Sequence, residues 1–283
     1  MKRRLLILSV LFAAIAVQDL RTATRVTITG NFTATGNFTI TERPFDAHDV
    51  PGLVAWYKPE SLSAYGDGAA VGTWPDSSGN GYDLTQTDAG HKPTNWLSQL
   101  NGYAGVKFDG AVGGMTNRAM VWTNTFSGDD MPGTFFIVGC RANSNVNNSA
   151  FFALFDNKGA SNFWLYQHLS TDKSTFYKND TALRSAAMVT GIGTNWMTLS
   201  LEVSNASVFM WKNGTANSAN PVALDSSIVP VWGISVGHRF TEPSTYNNPS
   251  AMTVCEFLIY SNALSIADRQ TVENGLRAKY KTW

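Results

Sequence analysis

Two acidic residues lie inside predicted β-strands, Glu202 in "NWMTLSLEVSN" and Glu256 in "MTVCEFLIYSN". Retaining glycoside hydrolases need two carboxyl groups that flank the scissile bond about 5 Å apart, which on one strand face requires acids at alternate positions. Neither glutamate has such a neighbour, and the chain contains no E-x-D-x-E pattern. We therefore expect both to make hydrogen bonds at the rim of the core, and we predict that the protein is not an enzyme.

A G-x-S-x-G pattern occurs at residues 233–237. In α/β hydrolases this pattern places a nucleophilic serine on a sharp turn between a strand and a helix. Here the chain continues with "HRFTEPS", which has no helical periodicity. We interpret the match as chance.

Cys140 and Cys255 each lie inside a predicted strand, in "GTFFIVGCRA" and "MTVCEFLIYSN". If the two strands are neighbours, the cysteines can form a disulfide in an oxidising compartment. Two buried thiols are the alternative, and the sequence leaves both open. The four histidines have no ligand spacing, so we expect no zinc site.

Aromatic residues alternate with other types in "NFWLYQHL". In a strand this alternation places Phe163 and Leu165 on one face and Trp164, Tyr166 and His168 on the other. Each member of the second set combines a ring with a polar group, which suits stacking on a sugar ring and hydrogen bonding to its hydroxyls. The sequence therefore predicts a ligand-binding face; the alternative is a face that packs beneath a loop.

These residues must be positioned by short strands, because about ten segments rich in aromatic and β-branched residues alternate with turn residues from residue 49 onward. That pattern predicts an all-β sandwich or jelly roll. The 283 residues contain 43% hydrophobic residues, enough for a sizeable core. Lys plus Arg and Asp plus Glu both total 21, so no charge imbalance points to nucleic acid as a partner.

One helix is predicted at the C-terminus, directly after the last strand. Ser265 and Asp268 form a capping box, and Glu273 and Arg277 are spaced for an i,i+4 ion pair on another face of the helix. The apolar stripe of the helix consists of Val272, Leu276 and Tyr280. We expect this stripe to dock on the sandwich.

The N-terminal part divides into two predicted segments. Residues 1–18 have a basic start and a short apolar run, as in a secretory signal peptide; an uncleaved hydrophobic peptide is the alternative. Residues 19–48 contain G-N-F-T twice and are predicted to form an extended β arm that adds a strand to a partner, or else an edge hairpin of the main domain. Residues 49–283 are the predicted sandwich.

Three stretches carry a resemblance to a known family: "VPGLVAWYKPESLSAYGDGAAVGTWPDSSGNGYDLTQ", "KPTNWLSQLNGYAGVKFDG" and "EFLIYSNALSIADRQTVENGLRAKY". They resemble the laminin-G-like branch of the concanavalin A-like lectin/glucanase superfamily, over residues 51–280. The resemblance implies a jelly-roll sandwich whose first and last strands lie close together under a short terminal helix. It also implies a bacterial surface protein or a phage structural protein. "WYKPES" departs from the acidic "WLDAS" often found in such domains.

Such sandwiches often hold calcium at the rim through carboxylate, amide and backbone oxygens. Asp76 and Asn80 in "PDSSGNG", and Asp109 in "FDG", are of the right type. The alternative for all three is turn chemistry, in which Asp and Asn bond to nearby backbone groups.

Two function classes follow. The first is a non-catalytic binding module, secreted or displayed at the cell surface, that recognises a glycan or another cell-surface ligand. The second is a virion structural or decoration protein whose N-terminal arm contacts other copies or envelope proteins. A glycoside hydrolase is a distant third.

Overall fold

The structure is a computed structural model. It describes residues 43–110, 119–123, 133–142, 149–155, 162–168, 173–178, 188–190, 194–204, 207–217, 221–223, 233–237, 239–242, 245–247 and 250–283. The predicted N-terminal peptide and nearly all of the predicted arm lie outside these residues. For several strands, including the one that contains Trp164, only the backbone pairing is described.

The described residues form short strands and one longer helix. In chain order the strands are β1 (Leu53–Tyr57), β2 (Thr73–Trp74), β3 (Leu84–Thr85), β4 (Thr94–Leu100), β5 (Tyr103–Asp109), β6 (Met120–Thr123), β7 (Thr134–Arg141), β8 (Ser149–Phe155), β9 (Asn162–His168), β10 (Lys173–Lys178), β11 (Met188–Thr190), β12 (Met197–Ser204), β13 (Ser207–Lys212), β14 (Thr215–Ala216), β15 (Val222–Ala223), β16 (Gly233–Val236), β17 (Arg239–Glu242), β18 (Thr245–Asn247) and β19 (Ala251–Tyr260). The helix α1 spans Ile266–Tyr280, and short 3-10 helices span Ala47–Asp49, Pro59–Leu62 and Ala89–His91.

The strands form two large antiparallel sheets. The first sheet has the order β14-β13-β12-β7-β19-β5-β4, with β1 paired to β19 and β15 paired to β13. The second has the order β11-β10-β9-β8-β16-β6-β3-β2, and β17 and β18 form a separate hairpin. β1 pairs with the second half of β19, opposite residues 257–260. The first and last strands are therefore neighbours, as the resemblance implied.

Aromatic side chains from both sheets meet in the core. Phe152 of β8 lies 5.0 Å, between ring centroids, from Phe135 of β7 and also 5.0 Å from Phe257 of β19. All three are buried. The two sheets thus pack face to face, which confirms the predicted all-β sandwich with a single C-terminal helix.

The helix begins and docks as the sequence indicates. The Ser265 hydroxyl accepts a hydrogen bond from the Asp268 N–H (3.1 Å) and donates one to the Asp268 carboxylate (2.8 Å). Val272, Leu276 and Tyr280 are fully buried, so the predicted apolar stripe is confirmed.

The chain divides into two compact units, residues 1–46 and residues 47–283. In the first, the described residues include an ion pair between Arg43 and Asp46 (3.0 Å). The second contains the sandwich and the helix. None of the helices among the described residues is long and apolar enough to cross a membrane.

Candidate functional site

Glu256 is completely buried on β19, under the C-terminal end of α1. Its Oε1 accepts a hydrogen bond from the Trp56 indole of β1 (2.7 Å), and its Oε2 accepts hydrogen bonds from Lys279 Nζ (2.7 Å) and from the Tyr280 hydroxyl. Three donors, one of them cationic, compensate for the lost hydration of the carboxylate. Glu256 therefore anchors the helix to β1 and β19.

Lys279 also reaches the half-exposed Glu60, with its Nζ 2.9 Å from Oε1. Burial by itself lowers the pKa of Lys279, but the carboxylates of Glu256 and Glu60 outweigh that effect and raise the pKa above its ordinary value of 10.5. Burial, followed by the nearby charge of Glu256, raises the pKa of Tyr280. Lys279 is therefore charged and Tyr280 protonated at neutral pH.

A second buried carboxylate, Glu273, lies on the helix itself. It accepts hydrogen bonds from Ser200 of β12 (2.8 Å) and from Arg269, one helical turn earlier (2.6 Å). The Arg269 guanidinium also lies over the Trp211 ring, 4.1 Å from its centroid. The predicted i,i+4 pairing of Glu273 with Arg277 is wrong: Glu273 is buried and pairs with Arg269, while Arg277 is exposed.

Of the two strand acids, Glu256 has its carboxylate engaged in contacts that position the helix. Glu202 of β12 is partly buried, and burial raises its pKa although Arg269 acts in the opposite direction. The two lie on different strands of the first sheet, with β7 between them. The hydrogen bonds of Glu256 to β1 and to the helix give it a structural role.

Ser235 of the G-x-S-x-G pattern lies within β16, which pairs with β6 and β8. Its side chain is completely buried. The turn between a strand and a helix that the hydrolase pattern requires is not formed there, which fits a chance match.

Asp76 organises the turn that follows β2. Its Oδ1 accepts hydrogen bonds from the N–H groups of Trp56 and Ser78 (both 2.8 Å), and its Oδ2 accepts from the Ser78 hydroxyl (2.6 Å) and the Tyr82 N–H (3.1 Å). The carboxylate thus receives four hydrogen bonds from its own chain, and a bound calcium ion would have to compete with them.

Asn80 completes the same turn. Its side-chain amide donates hydrogen bonds to the carbonyl oxygens of Val54 (2.8 Å) and Leu53 (3.2 Å). Together with Asp76 it covers the outer edge of β1, whose other edge pairs with β19. An uncovered strand edge invites pairing with other chains, so this turn protects β1.

Asp109, the third predicted calcium ligand, lies on β5 and forms an ion pair with Lys107 (3.7 Å). Within the described part of the chain, no group of three or more Asp, Glu, His or Cys side chains could hold a metal ion. The side chains of Asp76 and Asn80 hydrogen-bond to nearby groups of the turn and of β1, as the alternative interpretation expected. The geometry therefore adds no support to the calcium prediction.

The two cysteines lie on adjacent strands as free thiols. Cys140 of β7 is opposite Thr253 of β19, and Cys255 lies two residues further along, where the register shifts. Burial raises the pKa of Cys140 to about 11 and also raises that of Cys255. Both are therefore thiols and not thiolates at neutral pH, and a disulfide between them stays a prediction.

The predicted aromatic strand is present as β9. Leu165 lies opposite Phe152 of β8, which packs in the core between the sheets. Trp164 lies opposite Ala153, which is also completely buried, and Tyr166 lies opposite Ala150. On the other side, β10 places Tyr177 opposite Trp164 and Lys173 opposite His168. This register agrees with the alternation on which the prediction of a binding face depends.

One exposed aromatic residue was missed by the sequence analysis. Trp96 (38% exposed) and Leu97 (49%) are adjacent on β4, the edge strand of the first sheet. The only other large hydrophobic residue that is exposed in the described part of the chain is Ile266 (72%), at the start of α1. A shift of register between Trp96 and Leu100 interrupts the alternation, so strand periodicity could not have identified this pair.

No protein-family model and no curated protein sequence matches the chain. Solved structures to which the chain is similar include Trypanosoma rangeli sialidase in complex with 2,3-difluorosialic acid (TM-score 0.55, 14% identity). They also include a structure of botulinum neurotoxin type C, whose cell entry depends on interaction with two ganglioside molecules (TM-score 0.50, 12% identity), and the binding domain of botulinum neurotoxin DC in complex with rat synaptotagmin II (TM-score 0.50, 10% identity).

The match to the sialidase covers 78% of this chain and 33% of the sialidase. The matches to the toxins cover 80% of this chain, 51% of the type C chain and 52% of the DC chain. The chain therefore spans about a third of the sialidase and about half of each toxin chain. At such low identities the likeness shows a shared fold.

Proposed function

We propose that this protein is a non-catalytic binding module, secreted or displayed at a cell surface, that recognises a glycan through the β9 face formed by Trp164, Tyr166 and His168. We further propose that its sandwich is of the laminin-G-like, concanavalin A-like type. The observation that carries the proposal is the register of β9, which sets Leu165 opposite the core residue Phe152. The three ring-bearing residues occupy the alternate positions.

The burial and the contacts of the strand glutamates support a non-catalytic role. Glu256 has no exposed surface and accepts three hydrogen bonds. A general acid or nucleophile must contact the reacting atoms, and this carboxylate contacts the helix. Incubation of the protein with β-glucans, agars and chitins should release no reducing ends. Release of reducing ends that disappears in Glu202→Gln, or in Glu256→Gln that thermal melting shows to be folded, would contradict this part of the proposal.

The similar structures support a binding role by analogy of fold. One comes from a neurotoxin that interacts with gangliosides, and another is a toxin binding domain in complex with rat synaptotagmin II. Sandwiches of one fold carry many functions, so the ligand must be identified on this chain by experiment.

The test is an array of immobilised glycans probed with the full-length protein and with Trp164→Ala, Tyr166→Ala and His168→Gln. Truncation of an aromatic residue that stacks on the ligand should weaken binding about tenfold or more. Ile266→Ser is the matched control, because it removes an exposed apolar side chain at the start of α1. Thermal melting of each variant separates lost binding from lost folding.

Binding that is equal in the parent protein, the three β9 variants and the control would contradict the proposed face. Binding to no glycan would contradict the proposed function as a whole. The alternative of virion assembly depends on the N-terminal arm and stays a prediction from the sequence.

A further inference from the structure

We propose that Trp96, Lys107 and Asp109 form a second ligand site, at the β4 edge of the first sheet, which binds the pyranose ring of a neutral saccharide. The inference rests on the proposed glycan-binding function but not on strand β9. The name "β4 site" is used below for these three residues.

The three residues lie on one face of the sheet, the face directed away from the core. Val106 and Phe108 of β5 are fully buried in the core, so the intervening Lys107 and the adjacent Asp109 are on the opposite face. Trp96 lies opposite Gly105, which also belongs to that face. The β4 site is therefore a continuous surface across two strands.

The Trp96 indole is held in place before any ligand arrives. Its Nε1 donates a hydrogen bond to the Thr94 hydroxyl (3.0 Å), and Lys107 Nζ lies 4.2 Å from the ring centroid. The backbone beside it is also fixed, because the Leu97 N–H donates to Asp67 Oδ1 (2.8 Å). A ring that is already ordered loses little conformational entropy on binding.

Gly105 keeps the position opposite Trp96 free of a side chain. A Cβ atom at this glycine would lie 2.7 Å from Thr253 Cγ2 of β19, closer than carbon atoms can approach. Packing against β19 therefore requires glycine here. As a result, the residue directly opposite Trp96 has no side chain, and the ring stays 38% exposed although Lys107 lies against one of its faces.

The charges of the β4 site select the class of ligand. Lys107 and Asp109 form an ion pair (3.7 Å) in which both side chains keep some exposure, so the pair supplies a donor and an acceptor without net charge. Sugar hydroxyls both donate and accept hydrogen bonds, and the apolar face of a pyranose stacks on an aromatic ring. A neutral saccharide fits this arrangement better than a sialylated sugar or an anionic lipid surface, which would be attracted by a net positive charge.

The experiment follows the indole N–H resonance of Trp96 in full-length protein labelled with ¹⁵N-tryptophan, which is assigned by its absence in Trp96→Phe. The probes are cellotetraose, lactose and mannobiose as neutral saccharides, 3′-sialyllactose as an acidic one, and phosphatidylcholine and phosphatidylserine vesicles. We expect at least one neutral saccharide to shift this resonance in a saturable way, and Trp96→Ala to weaken its affinity about tenfold or more.

Two further variants test the polar groups, and two serve as controls. Lys107→Met removes a donor, and Asp109→Asn replaces one carboxylate acceptor by an amide donor, so each should weaken the same titration severalfold. Ile266→Ser and Trp164→Ala should leave the Trp96 titration unchanged. Because Trp96 is exposed, its replacement should not unfold the sandwich, and thermal melting checks this.

Each outcome separates this inference from the proposed function. A glycan that binds without moving the Trp96 resonance, or with equal affinity for Trp96→Ala, overturns the β4 site and leaves the proposed function standing. A stronger response to sialyllactose or to vesicles than to every neutral saccharide overturns the assigned ligand class. A protein that binds no saccharide in any assay overturns both.

Discussion

Glu256 and Glu273 are both buried carboxylates between α1 and the first sheet, but their ion pairs have different relations to that interface. Glu256 belongs to β19 and pairs with Lys279 of the helix, so this pair crosses the interface. Glu273 belongs to the helix and pairs with Arg269 of the same helix. Only its hydrogen bond from Ser200 crosses to the sheet. We infer that the C-terminal end of the helix carries most of the polar contribution to docking.

Removal of the helix should have the largest effect. A chain that ends before Ser265 loses the buried side chains of Val272, Leu276 and Tyr280, which at about 1.5–3 kcal/mol each amounts to roughly 5 kcal/mol or more of unfolding free energy. A second chain that ends at Arg277 removes Lys279 and Tyr280 but keeps the contacts of Glu273. Urea denaturation measures the unfolding free energy of both truncated chains. An unchanged unfolding curve for the chain that ends before Ser265 would contradict the docking of the helix.

The contrast between the two ends is sharpened by these truncations. If the C-terminal end is the main anchor, the chain that ends at Arg277 should show more than half of the loss seen for the chain that ends before Ser265. A nearly native stability after removal of residues 278–283 would mean that the Glu273 end holds the helix by itself.

Glu256→Gln should lower the unfolding free energy by about 3–5 kcal/mol, because it leaves the largely buried cation of Lys279 with the half-exposed Glu60 as its remaining carboxylate partner. A double-mutant cycle with Lys279→Met isolates the pair, and the double variant should be more stable than Glu256→Gln alone. Tyr280→Phe is a milder companion that removes one donor and keeps the ring. A loss below about 1 kcal/mol for Glu256→Gln would contradict the anchoring role.

Glu273→Gln should cost less, about 1.5–3 kcal/mol, because Arg269 keeps its position over the Trp211 ring. Ser200→Ala tests the one hydrogen bond of this cluster that crosses the interface and should cost about 1 kcal/mol. The same urea denaturation applies. Should Glu273→Gln prove more damaging than Glu256→Gln, the proposed order of the two ends is reversed.

A rise in pH should weaken the ion pair of Glu256 and leave that of Glu273 unchanged. This is the smallest of the expected effects on stability. The raised pKa of Lys279 means that its contribution to stability is complete below its ordinary value of 10.5 and is lost as the pH rises through the raised value. Arg269 stays charged throughout. The coupling energy between Glu256 and Lys279 should therefore fall as the pH rises from about 8 through the raised pKa of Lys279, whereas that between Glu273 and Arg269 should not. Lys279→Arg should abolish the fall.

The strands and the helix could be predicted from sequence because they depend on local patterns. Short segments rich in β-branched and aromatic residues give strands, and the four-residue spacing of Val272, Leu276 and Tyr280 gives one buried helix face. The position of Glu273 could not be predicted in the same way. A helix that lies flat on a sheet buries a wider stripe than one line of residues, so the neighbour of Val272 is buried too.

The site was harder to predict, because its contacts join distant parts of the chain. Asp76 has the residue type of a calcium ligand, yet one of its hydrogen bonds comes from Trp56, on a strand twenty residues earlier. In the sequence, Glu256 is an isolated acid in a strand. Its partner Trp56 lies 200 positions earlier, and its partner Lys279 lies on the helix. Trp96 was missed because the shift of register after it breaks the period of two.

The pairing of β1 has a consequence for the order in which the protein is made and folded. Within the described residues, the only strand that β1 joins is β19, and the Trp56 indole meets the Glu256 carboxylate 200 positions later in the chain. During synthesis, β1 leaves the ribosome well before β19 and α1 and must wait for them to be translated. Closing so long a loop is entropically costly and slows folding. The sandwich can therefore be completed only after β19 and α1 have emerged from the ribosome, and until then the edge of β1 that pairs with β19 lacks its partner.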